Sequence, residues 1–118
     1  MTMNGTEVKF RNMGPLNAST SGEAASLVVK ASAGVLFGFF VYNNKTTAQF
    51  IQVHNTATVV ADTAVPIMNF EIAAQTGRTL EFGAHGRAFS TGIMICNSST
   101  DTTKTIGSAD CIIDAQYI

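Results

Sequence analysis

Residues 34–55 contain two strongly apolar β-type segments joined by a short polar turn, in the sequence GVLFGFFVYNNKTTAQFIQVHN. Alternation assigns the first segment two apolar faces, one with Val35, Phe37, Phe39 and Val41 and the other with Leu36, Gly38, Phe40 and Tyr42. A strand that is apolar on both faces is typical of the centre of a sheet. Gly38 interrupts the segment and predicts a bulge or a close approach of another backbone. Residues 43–47 then form a polar turn into the second segment.

One face of this first strand needs a cover beyond the core of a simple two-sheet domain. We predict that Phe40 and Tyr42 contact the N-terminal segment, a loop or another subunit. Residues 1–23 are polar and carry turn signals, and we interpret them as an arm. Within the arm Val8 and Phe10 alternate with charged residues, which makes them its candidate contacts. The arm is either a disordered terminus or a segment that docks on a neighbouring subunit.

The rest of the chain, residues 24–118, continues as short β-type segments separated by turn signals. No window has helical periodicity, so a parallel βαβ fold is excluded. The spacing predicts an all-β fold: an antiparallel β-sandwich of about seven strands, Ig-like or jelly-roll-like with Greek-key connections. Residues 88–97 form one of the strong strands. Before it Gly83 and Gly86 permit a tight turn. Across this turn Arg87 is predicted to act as a clamp that hydrogen-bonds carbonyls or a carboxylate such as Glu81, and an intersubunit contact is the alternative.

Charge is scarce in this sequence: 13% of residues are charged and the net charge is −1. Globular domains average about 25% charged residues, so this composition favours a surface that partners cover. Binding nucleic acid needs clustered Lys or Arg, which the chain lacks, so we expect no nucleic-acid partner. The longest apolar run is too short to cross a bilayer, and we expect no membrane partner. The first residues do not have the pattern of a signal peptide.

Catalytic and metal-binding patterns are also missing. His54 and His85 have no His, Cys or carboxylate at the spacing of a zinc site. There is no Gly-x-Ser-x-Gly elbow and no phosphate-binding glycine motif. We therefore expect no enzyme activity, cofactor or metal. Sugar binding is disfavoured by the absence of Trp. Cys96 and Cys111 are interpreted as buried reduced thiols, although a hairpin would place them close enough for a disulfide in an oxidising compartment.

Short motifs from about residue 31 to residue 117 carry a family resemblance. They are AQFIQVHN at 48–55, AVP at 64–66, EFG at 81–83, GRAF at 86–89, TGI at 91–93, SST at 98–100 and KT at 104–105. In their order and spacing the chain resembles small β-sandwich proteins of tailed-phage particles, which serve as capsid decoration, head-fibre or tail-associated modules. The resemblance carries no catalytic residues with it.

This resemblance implies a structural virion protein, made in the host cytoplasm. The role we expect is that of a capsid decoration protein, which binds the assembled phage head and stabilises it. Its partners would be the major capsid protein or other virion proteins, and a trimer is the favoured homo-oligomer. The alternative is a tail or head-fibre module that binds a host-surface glycan or protein. An unrelated secreted sandwich with an oxidised cysteine pair is the third interpretation.

Overall fold

The computed structural model describes residues 15–118 and confirms the predicted class, an all-β fold of two antiparallel sheets packed face to face. This part of the chain contains nine strands rather than about seven. They are β1 (Leu16–Ser19), β2 (Ser26–Lys30), β3 (Gly34–Asn43), β4 (Gln49–His54), β5 (Met68–Ile72), β6 (Thr76–Glu81), β7 (Arg87–Phe89), β8 (Ile93–Ser98) and β9 (Cys111–Tyr117). Over residues 15–118 no helix has the length and apolar character needed to cross a membrane.

Residues 34–55 supply an interior strand to each sheet. Sheet A has the order β1-β9-β3-β6, and β7 pairs with the first residues of β3. Sheet B has the order β2-β8-β4-β5. The polar turn between β3 and β4 therefore crosses from one sheet to the other. Asn43 fixes this crossing, because its buried side-chain amide donates to the Thr47 and Ala73 carbonyls at 3.1 and 3.2 Å.

The core lies between the inner faces of the two sheets. Sheet A contributes Leu36, Phe39, Val41, Ile113 and Ala115, and sheet B contributes Val29, Ile51, Val53, Ile72, Ile93 and Ile95. Each of these side chains is buried, because alternate residues of every strand point inward. Aromatic packing continues to the β6 side, where the Phe39 ring lies 6.0 Å from Phe70 and 6.3 Å from Phe82 between centroids.

A bulge in β3 changes the faces that simple alternation predicts. The register between β3 and β9 shifts between Leu36 and Gly38, which leaves Phe37 as the extra residue. Leu36 is consequently buried in the same core as Phe39 and Val41, rather than on the face opposite them. The predicted role of Gly38 is confirmed on both counts: it lies at the bulge, and a Cβ there would come within 2.7 Å of the Leu80 carbonyl oxygen.

The two additional strands have separate origins. Leu16–Ser19, which the sequence assigns to the arm, pairs with β9 at the edge of sheet A. The single strand predicted at residues 88–97 divides at residues 90–92, so that β7 belongs to sheet A and β8 to sheet B. Asn55 holds this crossing with its side-chain oxygen, which accepts from the Thr91 and Gly92 amides at 2.9 and 3.3 Å.

The two cysteines lie in different sheets, Cys96 on β8 and Cys111 on β9. The hairpin that would have placed them opposite each other is not formed, because the connection between these strands crosses the sandwich. Both thiols are free and fully buried. The interpretation as buried reduced thiols is confirmed.

Candidate functional site

The outer face of sheet A is the first candidate surface. Cross-strand register aligns three rows of outward-facing residues: Asn17, Gln116, Gly38 and Glu81; then Ser19, Asp114, Phe40 and Thr79; then Ile112, Tyr42 and Gly77. The first row is fixed at its start by a hydrogen bond of 2.9 Å from Gln116 Nε2 to Asn17 Oδ1. Because Gly38 has no side chain, the first row contains a gap at its centre.

That gap opens a groove of about 530 Å³ that runs across the strands of sheet A. Pro15 lines the groove at the β1 edge, and Gln116 and Gly38 lie along its floor. Glu81 and Gly83 line the opposite end, on and just after β6. The groove therefore begins beside Pro15, which precedes β1.

Two of the predicted contact residues, Phe40 and Tyr42, lie on this face. Phe40 forms one wall of the groove and is 40% exposed, while Tyr42 is half-buried. The Phe40 ring lies against Gly77 of β6, where a Cβ would come within 2.8 Å of its Cζ atom. The other two predicted contact residues, Val8 and Phe10, lie outside the described residues.

The face has a negative character. Glu81 is exposed at the end of the groove, and Asp114 is half-buried in the next row between Ser19 and Phe40. One carboxylate oxygen of Asp114, Oδ1, is buried and has no hydrogen-bond donor among residues 15–118. A buried acceptor without a partner costs about 1–3 kcal/mol. None of the residues that line the groove is a cation.

The predicted turn after β6 is partly as expected. Gly83 and Gly86 both have left-handed backbone conformations, with φ of 81° and 66°, which glycine adopts without strain. Gly86 also packs tightly, since a Cβ there would approach Val35 Cγ1 to 2.5 Å. Arg87 is exposed and starts β7 opposite Leu36. Across the described chain its guanidinium forms no ion pair with Glu81, so the predicted clamp is not made there.

The second candidate surface is a layer of two loops, residues 55–67 and 99–106, that covers the outer face of sheet B. We call it the loop layer. Its presence follows from burial: Gln52, His54, Met94 and Cys96 point away from the core, yet all four are buried. Sheet B is thus covered on both sides, by sheet A and by the loop layer. His54, which has no partner at zinc-site spacing in the sequence, is buried and hydrogen-bonded.

Gln52 holds the second of these loops against the sheet. Its side-chain Nε2 donates to the Thr100, Asp101 and Thr103 carbonyls at 3.0, 3.2 and 3.1 Å. Its Oε1 lies 3.0 Å from His54 Nε2. The buried Gln52 side chain thereby binds three carbonyl groups of one loop.

Lys104 joins the two loops to each other and is 2% exposed. Its amide donates to the Ala64 carbonyl and its carbonyl accepts from the Thr63 amide, both at 2.8 Å. Its ammonium group donates to the Val60 carbonyl. A buried lysine of this kind is costly unless its hydrogen bonds are made, so the position of the first loop depends on the second.

The charge of Lys104 acts on the side chains beneath it. Burial first, and then the nearby Lys104 cation, lower the pKa of His54 below its ordinary value of 6.5. Burial raises the pKa of the Cys96 thiol to about 11, and the Lys104 charge offsets only part of that rise. Beneath the loop layer both the imidazole and the thiol are therefore favoured in their neutral forms. No group of three or more His, Cys, Asp or Glu side chains within residues 15–118 is placed to bind a metal ion.

The outside of the loop layer carries several exposed aliphatic side chains among polar and charged ones such as Asp62 and Asp101. Its exposed aliphatic side chains are Val59 at 47%, Val65 at 73%, Ile67 at 42% and Ile106 at 50% exposure. The sequence analysis did not select any of them as contact residues. The available signal was aliphatic side chains in segments where turn residues otherwise dominate.

No protein-family model matches the chain, and no curated protein or solved structure is significantly similar to it. The outer face of sheet A, the loop layer and the sequence motifs are therefore the features that bear on function.

Proposed function

We propose that this protein is a structural component of a tailed-phage particle, where it decorates the assembled capsid and stabilises it. The observation that carries the proposal is the set of exposed aliphatic side chains on the outside of the loop layer. Four aliphatic side chains are exposed there on a base that Gln52 and Lys104 fix by hydrogen bonds. A surface that is already ordered loses little conformational entropy when a partner binds.

The low charge of the whole chain supports the same role. With 13% charged residues, the surface has few groups that a protein partner would have to desolvate. The family resemblance supplies the partner, the major capsid protein or another virion protein, and favours a trimer. The location would then be the virion.

The mechanism would be mass action without covalent chemistry. A protein that binds the assembled lattice, and not its free subunits, stabilises the lattice by the binding free energy at each occupied site. At a free concentration of about a thousand times the dissociation constant this amounts to about 4 kcal/mol per site. Val65 and Ile106 would contribute through the apolar area that the capsid removes from water.

Co-sedimentation of the full chain with phage capsids that lack it tests the proposal. We expect binding, and we expect Val65→Asp or Ile106→Asp to weaken it about tenfold or more, since burying an aliphatic side chain contributes about 1.5–3 kcal/mol. Thr79→Asp is the matched control, because Thr79 is exposed on β6 of sheet A and lies outside the loop layer.

A wild-type chain that does not bind such capsids would rule the proposal out. Binding to host cells in place of capsids would instead support the tail or head-fibre alternative. Sedimentation equilibrium of the free and the bound protein would test the trimer separately.

A further inference from the structure

The outer edge of β6 is the longest regular strand edge that is left unpaired among residues 15–118. β6 has six residues and pairs with β3 alone, whereas β1 has four residues and β2 is irregular between Val28 and Lys30. On β5 the Glu71 carbonyl is already occupied, since it accepts from Arg78 at 3.0 Å. We propose that two copies of this chain pair antiparallel along β6 and join their A sheets into one. This inference does not depend on the proposed function, which concerns the loop layer over sheet B.

Alternate residues of β6 direct their backbone groups outward. The Phe82 amide donates to the Phe37 carbonyl at 2.9 Å, which identifies the hydrogen-bonded pairs between β3 and β6. In an antiparallel ladder such pairs recur at every second residue, so the even-numbered residues of β6 bond to β3. Gly77, Thr79 and Glu81 therefore present their amide and carbonyl groups at the free edge, and all three are exposed.

One register satisfies all of these groups. An antiparallel pair centred on Thr79 places Thr79 opposite its own copy and Gly77 opposite Glu81, which gives about six hydrogen bonds. The side chains agree with this register, because a Thr–Thr pair is favourable and no like charges meet. A shift in one direction brings Arg78 opposite Arg78, and a shift in the other leaves Gly77 beyond the end of the partner strand. Register and charge therefore favour a second copy, related by a twofold axis.

Arg78 does not block this edge. A charged side chain that points inward can prevent pairing at a strand edge. Here the guanidinium lies 4.7 Å from the centroid of the Phe70 ring and donates to the Glu71 carbonyl. Pairing along β6 therefore does not leave the charge of Arg78 without partners.

The contact is small, since each copy contributes one strand of six residues. Interfaces below about 1,200 Å² belong mostly to weak complexes. We therefore expect a dissociation constant of about 0.1–1 mM. A twofold contact of this kind is separate from the threefold contact that the family resemblance favours.

Sedimentation equilibrium and amide hydrogen exchange of the full chain at about 10 μM and about 1 mM test the pairing. The mass should rise toward that of a dimer. Exchange at Gly77, Thr79 and Glu81 should slow about two- to fivefold at the higher concentration, as mass action implies for this dissociation constant. The amides of Arg78 and Leu80, which bond to β3, should be protected at both concentrations.

Proline provides a matched pair of variants. Thr79→Pro removes an outward amide of β6 and keeps the bonds to β3, so it should weaken the pairing about tenfold or more. Asn17→Pro removes an outward amide of β1, at the other edge of sheet A, and should leave the pairing unchanged. Circular dichroism checks the fold of both variants.

A monomer at every concentration, or association that Thr79→Pro leaves unchanged, would overturn the proposal. Equal protection of Gly77, Thr79 and Glu81 at both concentrations would show that the same chain covers the edge, and would overturn it too. The exchange measurement uses the wild type, so it decides even if Thr79→Pro does not fold. Thr79→Asp opposes two carboxylates in this contact, so it should be monomeric and still bind capsids through the loop layer. The pairing and the capsid proposal can therefore fail separately.

Discussion

The side-chain oxygen of Gln52 lies 3.0 Å from Nε2 of His54, two residues along the same strand. The Gln52 amide nitrogen faces three carbonyl groups, which can only accept hydrogen bonds, so the oxygen must be the group that faces His54. It follows that His54 carries its proton on Nε2 and donates to Gln52. Burial lowers the pKa of His54, which favours the neutral imidazole beneath the loop layer.

The folded protein should lose stability in acid because of His54. Because the pKa of His54 is lowered in the folded state, the unfolded chain binds a proton that the folded chain resists. The contribution of His54 to stability is complete above its unfolded value of 6.5, and it decreases as the pH falls below that value. Urea denaturation at about pH 7.5 and about pH 5.5 should show a lower midpoint in acid.

A substitution separates His54 from the other titrating groups. In His54→Gln the fall in urea midpoint between the two pH values should be smaller than in the wild type. His85→Gln is the control, since His85 is exposed in the turn after β6. If His54→Gln kept the full wild-type loss, His54 would not be the source of the acid sensitivity.

Removing the amide of Gln52 should loosen the second loop. In Gln52→Leu the Thr100, Asp101 and Thr103 carbonyls lose their donor inside a closed layer. We expect the free energy of unfolding to fall by about 2–3 kcal/mol, within the range for buried groups without partners. Gln116→Leu, which removes a single hydrogen bond at the exposed face, should cost less than about 1 kcal/mol. Equal losses in the two variants would contradict the role of Gln52.

Two glycines give a matched pair for packing. At Gly38 a Cβ would come within 2.7 Å of the Leu80 carbonyl oxygen, whereas at Gly22 nothing lies within 4 Å. Gly38→Ala should lower the free energy of unfolding by about 1–3 kcal/mol, because backbone must move. Gly22→Ala should stay within about 1 kcal/mol of the wild type. Thermal denaturation of both variants checks the difference, and an unaffected Gly38→Ala would argue against the close approach.

The thiols should be inert until the protein unfolds. Burial raises the pKa of both Cys96 and Cys111 to about 11, and the thiolate is the reactive form. At about pH 8 a thiol reagent should modify neither residue within minutes, and should modify both once denaturant is added. Rapid modification of either cysteine in the native protein would show that its cover opens.

Strand positions could be predicted from the sequence because alternation is a local property. The core face of β3 at Phe39 and Val41 follows from it, as does the turn at Gly83 and Gly86. The bulge moved Leu36 to the core face, since one extra residue reverses the alternation on one side of it. Gly38 marked the site of that bulge without indicating its direction.

Tertiary cover could not be predicted in the same way. Residues 88–97 have continuous strand character, and their division depends on Asn55, which lies far away in sequence. Lys104 was passed over because an isolated lysine is ordinarily solvated. Its burial depends on loop carbonyls that only the fold brings together. The exposure of the aliphatic side chains on the loop layer likewise depends on how the two loops fold over sheet B.

The placement of β9 has a consequence for how the chain folds. β9 is the last of the nine strands to leave the ribosome, yet it lies between β1 and β3 and pairs with both. Until it emerges, β3 presents a long apolar strand with one edge unpaired, which is the kind of edge that recruits other chains. Sheet A therefore closes only once β9 has been made, through contacts between distant parts of the sequence, which form slowly. A chain that stops before Cys111 should aggregate rather than fold as a smaller sandwich.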